Sequence, residues 1–212
     1  VAYALDVGEG VPVDVDRASA WYAKAAARAN LKAMTNLGVN YARRGDDVEA
    51  QRWYQKAAEA GDALAMKNLG WQFLEGVGAP KDLAAAKRWL ERAEELGFVG
   101  ANRPLAILLR EEDPVGNAFR CAALLREAAE DEGDSCDAYE WARCLLSGDG
   151  VTVDPALAER WMCSAASDGH EGAQTWLEKH GKDWIPEWTW VPQVSFGPLR
   201  FGESPDLLTD AL

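Results

Sequence analysis

The sequence predicts an all-α protein built from repeated antiparallel helix pairs, and three observations carry that prediction. Trp21, Trp53, Trp89, Leu125 and Trp161 form a column with spacings of 32, 36, 36 and 36, and each has an Ala three positions before it and another four after it. A second column, Val1, Leu37, Leu69, Leu105 and Trp141, has spacings of 36, 32, 36 and 36, the same period with the same four-residue loss inside the second repeat. An Asp stands seven residues before the Trp column at Asp14, Asp46, Asp82 and Asp154. Chance does not produce two independent columns in one register, and self-similarity at this period is the signature of a solenoid.

The first helix of each pair, helix A, carries Leu37-Gly38 with Tyr41, or Leu69-Gly70 with Phe73. Apolar residues at i and i+4 share one helical face. A glycine-containing turn follows at Gly8-Glu9-Gly10, Gly76-Val77-Gly78 and Gly148-Asp149-Gly150. Helix B then begins after the Asp, whose carboxylate suits the orphan N–H groups of a first helical turn. Its Ala residues flank the Trp on one face, so the pair can approach closely while the Trp fills the space between neighbouring pairs. Gly61, Gly97, Gly133 and Gly169 stand where helix B should close.

Two repeats depart from this scheme. The second is four residues shorter and has Arg43-Arg44-Gly45 before Asp46. The fourth has Leu125 for Trp, Ala106 for Gly, and Glu111-Glu112-Asp113-Pro114 for the glycine turn, which predicts a local change of superhelix curvature around residues 103–118.

Composition narrows the function. With 22 Lys and Arg against 35 Asp and Glu, the formal charge is −13. An acidic chain lacks the basic surface that nucleic acid or an anionic membrane requires. No apolar run is long enough to span a bilayer. Only His170 and His180 are available for imidazole chemistry, and no nucleophile elbow or phosphate loop is present, so no catalytic residues are assigned and the segment reads as a non-enzyme. Cys121, Cys136, Cys144 and Cys163 make no C-x-x-C pair and no zinc spacing with a His, so no metal or other cofactor is expected. Reduced thiols in a cytoplasmic protein are the corresponding reading.

The combination Asn68-Leu69-Gly70-Trp71-Gln72-Phe73, Gly76-Val77-Gly78, Asp82, Trp89 and Ala93 resembles a Sel1-like repeat. That family is a relative of the tetratricopeptide arrays, and the resemblance covers roughly residues 1–180. It implies a right-handed α-solenoid whose helix A surfaces line a concave groove, used as an adaptor or scaffold for a protein or peptide partner. In tetratricopeptide domains that clamp a peptide carboxylate, Asn and Lys on helix A do the binding. The resemblance therefore points to Asn36 and Asn68, with Lys32, Arg43, Lys67 and Arg103, as a partner-binding groove. The Asn column stops at Pro104 and Glu140, and the competing role for the two Asn residues is to stabilise repeat stacking. Some secreted relatives staple each repeat with a disulfide, but the first three repeats here have no Cys.

The ends read differently from the array. Val1 aligns with Leu37, so the chain is expected to begin inside a repeat. Residues 181–212 lose the periodicity and become rich in Trp and Pro, predicting a short extended segment that caps the solenoid or opens a second domain. Within it, Trp188 and Trp190 share a face if extended and form a second candidate interface. The alternative function, motivated by net charge, is an acidic immunity- or inhibitor-type protein that neutralises a basic toxin or enzyme.

Overall fold

A computed structural model describes residues 1–131 and 133–182. Eleven α-helices follow one another: α1 (Ala2–Val7), α2 (Val15–Ala26), α3 (Leu31–Arg43), α4 (Asp47–Glu59), α5 (Ala63–Glu75), α6 (Leu83–Glu95), α7 (Asn102–Glu112), α8 (Ala118–Glu130), α9 (Ser135–Ser147), α10 (Pro155–Ser167) and α11 (Glu171–Lys179), with a 3-10 turn at Val99–Ala101 before α7. No strand occurs among the described residues, and each helix packs chiefly on its sequence neighbours, as an α-solenoid requires. The odd-numbered helices are helices A and the even-numbered ones helices B. The last described helix, α11, is a sixth helix A; its Leu177 continues the Leu column and is buried.

The predicted Asp column forms N-caps. The carboxylates of Asp14, Asp46, Asp82 and Asp154 accept from the backbone N–H three residues on, at 2.9, 3.3, 2.9 and 2.9 Å. Helices A are capped in the same way by Asn30, Asp62, Asp134 and His170. Within a pair, close approach rests on the Leu-Gly dipeptides. A Cβ on Gly70 would lie 2.7 Å from Leu90 Cγ and 3.3 Å from the Ala86 carbonyl oxygen, and Gly38 meets Tyr54 and Ala50 alike. Between pairs, the turn glycines do the work. Gly78 has φ 78°, and a Cβ there would sit 2.5 Å from the Asp47 carbonyl oxygen, so only glycine lets this turn rest on the start of the preceding helix B. Of the predicted closing glycines, Gly61, Gly97 and Gly169 take φ of 99°, 73° and 89°, whereas α8 closes at Asp131 with extended backbone.

Two expectations are corrected. The Trp column does not fill the interior: Trp21 is 45% exposed, while Trp53, Trp89 and Trp161 are half-buried. Lys24, Lys56 and Arg92, three residues on, lie 4.8, 4.4 and 5.8 Å from the ring centroids of Trp21, Trp53 and Trp89. The interior is filled by the next residue along, namely Tyr22, Tyr54, Leu90 and Met162. Leu125 belongs to this inner column, not to the Trp column. Helix α8 is capped at Asn117, one residue earlier than the 36-residue period predicts, which places Leu125 eight residues after its cap, as Leu90 is after Asp82. Leu125 is accordingly only 1% exposed.

The fourth repeat's substitute for the glycine turn is an ionic strap. Glu111 and Glu112 pair with Lys81 at 3.5 Å and Lys87 at 2.6 Å, both from the preceding repeat. Asp113 accepts from the N–H groups of Val115 and Gly116, and Asn117 Nδ2 donates to the Leu109 carbonyl. Trp188, Trp190 and the rest of the predicted C-terminal extended segment lie outside the described residues.

Candidate functional site

Successive helices A are linked through one position of the repeat, Thr35, Lys67, Arg103 and Tyr139, and the N-cap of the next helix A. Thr35 Oγ1 donates to Asp62 at 3.0 Å. Arg103 pairs with Asp134 and, at 3.0 Å, with Asp137. Tyr139 stacks on His170 with centroids 4.1 Å apart. The cap column runs Asn30, Asp62, Phe98, Asp134, His170. Lys67 therefore has Phe98 at the place where its counterparts find a polar partner. The first turn before α7 is a 3-10 turn with no side-chain cap.

The lost cap coincides with a cavity of about 340 Å³, bounded by Lys67, Asn68, Trp71 and Gln72 of α5, Asp47 and Tyr54 of α4, and Gly100 and Arg103 beyond them. Among the described residues the Lys67 ammonium makes no ion pair; its polar contact is to Asn68 Oδ1 at 3.3 Å. Burial, and secondarily the Arg103 charge, lower the Lys67 pKa against the opposing pull of Asp134 and Asp137. Burial likewise pushes the Asp137 carboxyl up. Asp134, although burial acts on it in the same sense, is held below the usual carboxylate range by its hydrogen bond to Arg103. Burial, with Asp47 adding to it, pushes the Tyr54 hydroxyl up to about 12.

Three of the six predicted groove residues, Lys67, Asn68 and Arg103, are thus brought to one cavity. The other three sit elsewhere. Lys32 is exposed in the first turn of α3. Asn36 lies beside the Tyr22 hydroxyl, which itself donates to Asp6 at 3.3 Å. Arg43 is paired with Asp6 of α1 at 2.9 Å. Sequence reasoning missed Trp71, 42% exposed on the rim, and the buried Gln72. The missing cap at Phe98 was the available signal for both.

Comparison with known proteins agrees with this architecture. The Sel1 repeat family profile matches residues 1–30, 31–62, 63–98 and 138–170, more than half of the chain. The chain belongs to the Sel1 repeat family. The profile leaves out the fourth repeat, where the cap and the register both change. A crystal structure of a Sel1 repeat protein from Oxalobacter formigenes is similar, with 30% identity and a TM-score of 0.72 over 88% of this chain and 78% of that one. The protective antigen c5321 of uropathogenic Escherichia coli, which displays the same repeat fold, has 28% identity and a TM-score of 0.67, over 88% of this chain and 41% of that one. None of the curated proteins matches the sequence. Sel1 repeats are generally used in protein–protein interaction and are typically non-catalytic scaffolds. No described helix is long and apolar enough to cross a membrane.

Proposed function

We propose that this Sel1 repeat chain is a cytoplasmic, non-enzymatic adaptor that holds a segment of a partner protein against its helix A surface, with a partner carboxylate seated at Lys67 and Asn68. The observation that carries this reading is the half-buried Lys67 ammonium on a cavity wall with no ion-pair partner among the described residues. A half-buried cation with no direct ion pair is partly desolvated, and an incoming carboxylate offsets that cost. Asn68 contributes its side-chain N–H groups, because its oxygen already accepts from Lys67. Arg103 adds positive potential, although its hydrogen bonds go to Asp134 and Asp137.

The test is a titration of the 15N-labelled protein with Nα-acetyl-glutamate amide and, as the uncharged control, Nα-acetyl-glutamine amide. The Asn68 side-chain amide resonances should shift with the first and not with the second, and Lys67→Met should weaken binding by about tenfold, the worth of one charge-assisted hydrogen bond. Equal binding of the two compounds would remove Lys67 from the site.

A further inference from the structure

The same cavity has an acceptor end. Gln72 is only 5% exposed, and its Nε2 donates to the Asp47 carbonyl at 3.4 Å, which fixes the amide's orientation, since the reverse would set oxygen against oxygen. Its Oε1 is left buried with no donor. An unsatisfied buried acceptor is an exception that needs a partner. Beside it stand the Asp47 side chain, which makes no ion pair among the described residues, and the rim face of Trp71.

The repeat supplies an internal comparison. Gln72 occupies the position of Asn40 in the preceding repeat. There Nδ2 donates to Ser19 at 3.3 Å, and Oδ1 accepts from the Arg43 guanidinium at 3.5 Å. The counterpart of Arg43 in the third repeat is Glu75, which has no proton to give. The protein thus satisfies this acceptor with a cation from its own chain in one repeat and leaves it open in the next. Arg43 itself lies near enough to Tyr54 to act on its pKa, but its charge is engaged by Asp6.

We propose that the Gln72 end of the cavity binds a basic side chain of the partner, which donates to Gln72 Oε1, pairs with Asp47 and lies against the Trp71 ring. This rests on the reading of the cavity as a partner-binding site and completes it: the bound segment presents an acidic group to Lys67 and Asn68 and a basic one about a helical turn away. A cation over an indole face is attracted to the ring as well as to the carboxylate. A chain of net charge −13 also draws a basic segment toward it.

The experiment uses the whole chain and three probes: Nα-acetyl-lysine amide, Nα-acetyl-arginine amide and, as the uncharged isostere, Nα-acetyl-norleucine amide. The readouts are the Gln72 side-chain amide and Trp71 indole resonances of the 15N-labelled protein. The lysine or arginine probe should shift both, the stronger of the two identifying the preferred cation, while the norleucine probe leaves the Gln72 amide unmoved. Asp47→Asn should weaken the cationic probe about tenfold, whereas Nα-acetyl-glutamate amide should bind no more weakly, because removing a negative charge from the cavity wall does not cost an anion affinity. If Asp47→Asn disturbs folding, Trp71→Leu at the solvent rim provides the second variant, with an expected loss of about two- to fivefold for the cationic probe, read from the Gln72 amide. Shifts from the glutamate probe with none from the cationic ones would overturn this inference and leave the carboxylate reading standing. Silence from all probes would overturn both, and equal binding of norleucine and lysine would overturn the cation assignment.

Discussion

Lys67 and Arg103 occupy the same position of successive repeats, yet Arg103 is paired with Asp134 at the next helix cap and Lys67 has Phe98 there. One substitution in the cap column thus separates a structural tie from an open cation. The cavity lies at the junction whose repeat lacks that cap, and the same repeat shortens the α7–α8 connection and falls outside the family profile.

Restoring the cap should close the site. Phe98→Asp places a carboxylate where Asp62 and Asp134 stand, giving Lys67 the partner its counterparts have. Binding of Nα-acetyl-glutamate amide should fall at least about tenfold, the loss expected when an internal charge-assisted bond competes for the same ammonium. Phe98 packs on the core, so stability should be measured beside binding. Undiminished binding in a folded variant would mean that Lys67 is not the anion's partner.

Helix pairing should respond to a single methyl group. Gly70→Ala sets a Cβ 2.7 Å from Leu90 Cγ, and forced repacking of this kind typically costs about 1–3 kcal/mol. Urea denaturation should show that loss in the single variant and a non-additive, smaller loss when Leu90→Val makes room. Additive losses would show that the two residues do not limit the approach of α5 and α6.

Alkaline stability should carry the mark of Tyr54. Its hydroxyl is raised from 10.0 to about 12 in the folded chain, chiefly by burial and then by Asp47. The folded state therefore keeps a proton that the unfolded state releases, and the stabilisation is present below pH 10 and lost as pH rises toward 12. A shift of this size corresponds to at most about 2–3 kcal/mol over that window. Tyr54→Phe should flatten the decline in stability between pH 10 and 12, measured by chemical denaturation. A decline as steep as in the parent chain would assign it to other groups.

The four thiols should divide by position. Cys136 is exposed, Cys163 is partly buried, and Cys121 and Cys144 are buried. Burial raises Cys121 and pushes Cys144 up to about 11, and the thiolate is the reactive form. With Ellman's reagent at neutral pH, one thiol should react fast, one slowly, and two only on unfolding. Rapid modification of three or four would show that α8 and α9 open readily.

What the sequence determined by itself is whatever repeats. Two columns at one period establish helix pairing, and Asp14, Asp46, Asp82 and Asp154 announce helix starts because capping is a local event between a side chain and the N–H three residues on. The turn glycines are legible for the same reason. What the tertiary structure decided lies between repeats. The 36-residue period put Leu125 one position out of place, because the N-cap of α8 falls at Asn117, one residue early, and only packing shows which face of α8 turns inward. The Trp column looked like core, but the inward direction belongs to the next residue, and the Trp rings take cations on their faces instead. Lys67, Asn68 and Arg103 were visible as polar residues on helices A, whereas Lys32, Asn36 and Arg43 looked equivalent until Asp6 and Tyr22 appeared beside the last two. Whether a Lys is tied or open depends on what stands at the cap of the next helix, about one repeat away in sequence and adjacent in space.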